Sequence, residues 1–146
     1  MSAAVNLAAR NPESVYRPYA NYAHAVEVPA GWRTLFVSGI NGFDDDGSSM
    51  PDSFGDQARQ VWRHLARILA DADMTHADLV SLRIYLADPS DDEENVRILG
   101  DHLRDHLVAR TVISCQLLEP TWRIEIEAVA AAPSLANRSS RSSRDS

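Results

Sequence analysis

The sequence predicts an α+β domain, with two helices on one face of a mixed, mostly antiparallel sheet, and three observations predict it. Several short segments alternate apolar and polar residues with period two; two longer segments repeat apolar residues at i, i+3 and i+4; and the two kinds follow one another in the order ββαβαββ. A chain of 146 residues with 45% hydrophobic content fits one domain of ordinary size with a real core.

The elements follow in order. Residues 1–20, MSAAVNLAARNPESVYRPYA, show no sustained period and are expected to form an irregular N-terminal arm. AHAVEV and TLFVSG are β-prone runs flanking PAGWR, whose Pro29 and Gly31 mark a turn, so a hairpin is expected. NGFDDDGSSMPDS is dense in turn formers; its aspartates lack the spacing and closing Glu of a calcium loop, and it reads as a turn. From Gly55 to Ala72, the residues Ala58, Val61, Trp62, Leu65, Ile68, Leu69 and Ala72 make one helical face.

HADLVSLRIYLADPS then switches to period two, with Val80, Leu82, Ile84 and Leu86 opposite Ser81, Arg83 and Tyr85, and ends at Pro89. A second helix is expected over roughly Asp91 to Leu107, with Val96, Leu99, Leu103 and Leu107 as its stripe. Its acidic start suits the positive end of the helix dipole, and His102 and His106 suit the negative end. Two strands, TVISCQLL and WRIEIEAVA, close the chain around Pro120. Residues 21–132 thus form the domain. Residues 133–146, rich in Ser and Arg and poor in apolar groups, are expected to be a disordered tail. Since the helices cover one face of the sheet, the other face, which carries Leu, Val and Tyr, invites self-association.

Composition excludes several classes of function. The single cysteine, Cys115, forms no internal disulfide, and no apolar run reaches signal-peptide or membrane-span length, so a cytoplasmic protein is expected. The net charge of −7, with arginines dispersed, argues against a nucleic-acid partner; the tail, which holds more cations than anions, reads as an appendage serving solubility, and with no apolar run of membrane-span length no membrane partner is expected. His102 and His106 lack the Glu and third ligand of a metal site, so no metal is expected. There is no Gly-x-Ser-x-Gly elbow, Cys115 sits in an apolar run, and no glycine-rich phosphate loop precedes a helix.

What remains is VARTVISC, in which Arg110 opens an apolar, β-branched run. A guanidinium leaves water only at a cost of several kcal/mol unless an anion replaces its hydration. RIEIEAVA places Glu125 and Glu127 on one face of the last strand, beside the strand that Arg110 begins. Two accounts follow: a cross-strand ion pair, or a fork for a substrate carboxylate with Glu125 available for proton transfer in the same cleft.

The stretch ARTVISCQLLEPTWRIEIEAVA resembles the C-terminal signature of the Rid (YjgF) family of reactive-intermediate deaminases. NYAHAVEV, LFVSG, DQARQVWRHLARIL, DLVSLRIYLAD and EENVR resemble the family's earlier segments in the same order, so the likeness runs from about Tyr22 to Ala131. The resemblance implies a chorismate-mutase-like fold, a homotrimer with sites between subunits, and cofactor-free hydrolysis of enamines and imines such as 2-aminoacrylate to 2-oxo acids and ammonia. By motif, Arg110 would bind the substrate carboxylate and Glu125 would activate water, while Tyr22, Asn95 and the Ser38-Gly39 backbone complete the pocket. Departures surround that pocket: Ile40 follows Ser-Gly where many relatives have Gln, and the loop reads NGFDDDG. A dedicated enzyme acting on a larger carboxylated or aromatic substrate is therefore a second expectation, with Ile40 and Trp122 facing the cleft. A non-catalytic ligand-binding module is a third.

Overall fold

The structure, a computed structural model, describes residues 6–135. Its strands are β1 (Ala8–Arg10), β2 (Ala25–Glu27), β3 (Arg33–Asn41), β4 (Leu79–Leu86), β5 (Ala109–Ser114) and β6 (Ile124–Ala132), and its helices are α1 (Phe54–Asp71) and α2 (Asp92–Leu103). Four strands form one sheet in the order β3-β6-β4-β5, antiparallel except for the β4–β5 pair. Both helices lie on one side of it, as the sequence predicts. Apart from its first three residues, the tail expected to be disordered lies outside the described residues.

The helix-facing side is the core. Leu82, Ile84 and Leu86 of β4 and Ile124, Ile126, Ala128 and Ala130 of β6 meet Val61, Trp62, Leu65 and Leu69 of α1 and Leu99 and Leu103 of α2. Helix α1 begins at Ser53, whose hydroxyl accepts the Asp56 amide proton at 3.2 Å. Buried Gln57 fastens this end: its amide donates to the Pro51 and Thr121 carbonyls, and its Oε1 accepts from the Arg123 amide at 2.8 Å. With every polar atom of Gln57 partnered, its burial carries little penalty.

Three expectations are corrected. The residues expected to form a hairpin do turn at Pro29 to Trp32, with Gly31 at φ +78°, but β2 does not pair with β3. Ala23 is bridged to Ala109 of β5 at one edge of the sheet, while β3 occupies the other edge. The connection has to cross four strand spacings, about 19 Å. The partner of β2 is instead β1, inside the arm expected to be irregular, in register from Ala8↔Glu27 to Arg10↔Ala25. Helix α2 stops at Leu103 rather than Leu107, and its buried stripe is Asn95, Ile98, Leu99 and Leu103, with Val96 turned outward. A side chain at 96 lies about 100° from its neighbour at 95, and the helix has chosen the polar one for burial.

Beneath α2, Trp62 is fully buried and stacks flat on His102, with centroids 4.9 Å apart, while His76 meets both rings edge-on. Burial holds the pKa values of both histidines below the ordinary 6.5, and for His76 the neighbouring His102 adds to the shift. His102, expected to be a surface residue, is therefore part of a helix–helix contact. Among the described residues no group of three or more His, Cys, Asp or Glu side chains could hold a metal ion.

Candidate active site

A cleft of about 780 Å³ lies along the free edge of β5. Ala23 donates its N–H to the Val108 carbonyl at 2.9 Å and buries its methyl group, so in extended backbone Tyr22 and His24 project the other way. Both line the cleft together with Arg110. The guanidinium carbon of Arg110 sits 5.6 Å from the centroid of the Tyr22 ring, within cation–π range.

Arg110 is half-buried, and one of its terminal nitrogens is sealed from solvent with no hydrogen-bond partner. Among the described residues no carboxylate lies within ion-pair distance of it. Burial lowers its basicity and Asp92, in the first turn of α2, partly restores it; a guanidinium so far above neutrality stays a cation. Burial and the nearby Tyr16 and Tyr19 raise the pKa of Tyr22, so its phenol is a neutral donor at pH 7. One desolvated cation with an empty donor, beside a neutral hydroxyl, is suited to receiving a small carboxylate.

The other residues named from the sequence lie elsewhere. Arg110 is in register with Leu82 and, across β4, with Ala128; Glu125 is in register with Tyr85. Leu82 and Tyr85 point to opposite faces, so Arg110 and Glu125 of one chain are on opposite sides of the sheet with β4 between them. Neither the expected ion pair nor a shared cleft forms within the chain. Glu127 is engaged on the open face, accepting from Tyr85 at 2.7 Å and pairing with Arg83 at 3.5 Å. The Glu125 carboxylate lies against Gly39, in the bulge of β3 between Val37 and Ile40, so closely that any β-carbon there would collide with it. Ser38, beside it, lines a shallower hollow of about 350 Å³ with Phe36 and Glu127.

Asn95 is buried on the inner side of α2, where its amide donates to Asp92 at 3.2 Å, and it is not among the residues lining the cleft. Ile40 is in register with buried Ile126 and packs on the core, and Trp122 meets Phe43 edge-on, so neither faces the cleft as the second expectation required. Conversely, Tyr16, Tyr19, His24 and Asp92 line the cleft and were not singled out from the sequence. The signal for the first three was legible: YRPYANYAH holds three tyrosines in a segment with no core period.

Fold and cleft together define a two-layer α+β domain with a half-buried guanidinium in a cleft at one edge of its sheet. A family model described as Endoribonuclease L-PSP matches residues 13–132. A curated RutC family protein of Aquifex aeolicus is 30% identical over 115 residues, covering 77% of this chain and 90% of that protein. The 2-iminobutanoate/2-iminopropanoate deaminase of Rattus norvegicus is 33% identical over 110 residues, covering 75% and 78%. The crystal structure of a Yersinia pestis protein of unknown function from the conserved Rid family superposes with TM-score 0.77 at 30% identity, covering 88% of this chain and all of that one. The chain belongs to the YjgF/Rid family. Among the described residues no helix is long and apolar enough to cross a membrane.

Proposed function

We propose that the protein is a cytoplasmic, cofactor-free deaminase that hydrolyses reactive enamines and imines of the 2-aminoacrylate kind to 2-oxo acids and ammonia. The single observation that carries this reading is Arg110, a half-buried guanidinium over the Tyr22 ring with an unpartnered donor and, among the described residues, no carboxylate within ion-pair distance. The name of the rat relative supports it at the level of the family. A chain of net charge −7 whose cleft, among the described residues, holds Arg110 as its one arginine free of an ion pair, beside Asp92, suits a single small carboxylate better than a phosphate backbone.

The chemistry asks little of the protein. A protonated imine is electrophilic, so Arg110 need only hold the carboxylate while water adds to the imine carbon and gives up a proton. The carbinolamine nitrogen then takes a proton and leaves as ammonia as the carbonyl forms. Glu125 is the carboxylate for that proton, and because it faces away from the Arg110 of its own chain, the reading requires Glu125, with Ser38 and Gly39, to come from a second copy. The open sheet face suits such an assembly, a homotrimer with sites between subunits: Phe36 there is 81% exposed and Ile113 46%.

The test couples the protein to a serine or threonine dehydratase and follows 2-oxo acid formation. Wild type should exceed spontaneous hydrolysis, and Arg110→Ala and Glu125→Gln should each lose at least tenfold. Wild type equal to the spontaneous rate refutes the activity, and if Arg110-dependent binding survives, the protein is a ligand-binding module instead.

A further inference from the structure

We infer that the cleft selects acids with an aromatic side chain over the three- and four-carbon acids, an inference that rests on Arg110 as the carboxylate receptor. The first reason is size. A cleft of about 780 Å³ is in the upper part of the range for drug-sized ligands, roughly 300–1,000 Å³, and a three-carbon acid held at Arg110 leaves most of it unfilled.

The second reason is what surrounds the space. Tyr19 meets Tyr22 edge-on at 5.7 Å, Tyr22 meets His24 at 6.0 Å, and His24 meets Tyr16 at 5.1 Å, a run of four rings with the guanidinium over Tyr22 and further rings to either side. Tyr19 is 90% exposed and Tyr16 71%, so ring surface is open for a ligand to cover. Edge-on and offset ring contacts are the arrangement aromatic groups prefer. The segment is also held in place: the His24 amide donates to the Asn11 side chain at 2.8 Å, and its Nε2 donates to the Tyr16 carbonyl at 2.6 Å. The His24 ring, fixed by these bonds before binding, loses less entropy when a ligand arrives.

The third reason excludes a second charge on the ligand. Arg83, which also lines the cleft, is paired with Glu127, and Asp92 beside Arg110 already offsets part of that guanidinium's charge, so a second carboxylate is disfavoured. An aromatic side chain finds the rings and Val96, whereas a dicarboxylate finds no free cation.

Calorimetric titration with stable 2-oxo acids tests this without requiring turnover. Phenylpyruvate should bind wild type at least tenfold more tightly than pyruvate, and 2-oxoglutarate no more tightly than pyruvate. Tyr19→Ala, and Tyr16→Ala with it, should bring the phenylpyruvate-to-pyruvate ratio towards one, a comparison insensitive to any uniform loss of binding. Equal affinities in wild type, a ratio unmoved by removing both tyrosines, or no binding of either acid overturns the inference. An aromatic preference without turnover of any imine would refute the deaminase and leave the ligand class standing; turnover of 2-aminoacrylate with no aromatic preference would do the reverse.

Discussion

Two clusters of rings sit in this small domain, Trp62 with His76 and His102 beneath α2, and the tyrosines with His24 beside β5. Their contacts are alike, with centroids 4.9–5.4 Å apart in the first and 5.1–6.0 Å in the second. Their surroundings differ. The first is centred on the fully buried Trp62 at the contact of α1 and α2 and serves the fold; the second has ring surface open to solvent beside a half-buried cation. The same kind of ring contact contributes to stability where a buried indole is at its centre, and leaves surface for a ligand to cover where the rings stand exposed.

The largest effect that would break this contrast is Trp62→Ala. It should cost about 3–5 kcal/mol of stability in urea titration, since an indole at 0% exposure leaves a cavity, while the folded fraction keeps its ligand affinity. The same cluster sets a pH dependence. His76 and His102 are held neutral by burial, with folded pKa values below 6.5. Their contribution is full above about pH 6.5 and is lost as the pH falls below it, because the unfolded chain then binds more protons. The urea midpoint should drop between pH 7 and pH 5, and less so in His76→Phe.

Arg110→Met comes next. Carboxylate binding should fall by about 1.5–3 kcal/mol, tenfold or more, with little loss of stability, because the change removes a half-buried charge that pairs with no carboxylate among the described residues and keeps an apolar chain over Tyr22. A loss of stability instead would mean that the arginine serves the fold. Tyr22→Leu removes the ring beneath the guanidinium and should weaken binding by about 0.5–2 kcal/mol. Arg83→Ala should have the smallest effect: its pair with Glu127 is 66% exposed on the arginine side, and such pairs contribute about 0–1 kcal/mol in thermal unfolding.

Much of this was legible in the sequence. The helix 54–71, the strand 79–86 and the strand 124–132 follow directly from the spacing of their apolar residues, because burying one face requires that spacing. Arg110 was legible too, as a charge at the start of an apolar run. The partner of β2 was not: a turn at Gly31 is local, whereas the choice between pairing with β3 and pairing with β1 depends on where Ala23 is anchored. Nor was the role of the tyrosines, which have no period and acquire one setting only when the arm is tied to β5 through a backbone bridge.

The sequence by itself determined the class of fold, the family and the odd arginine, because apolar period and residue type are local properties that any compact chain must respect. Only the tertiary structure decided that Arg110 and Glu125 of one chain face opposite sides of the sheet and that the cleft is walled by the N-terminal arm. Which face a residue takes depends on the register across three strands, and which edge the arm reaches depends on the order β3-β6-β4-β5. Neither is written at any one position of the chain.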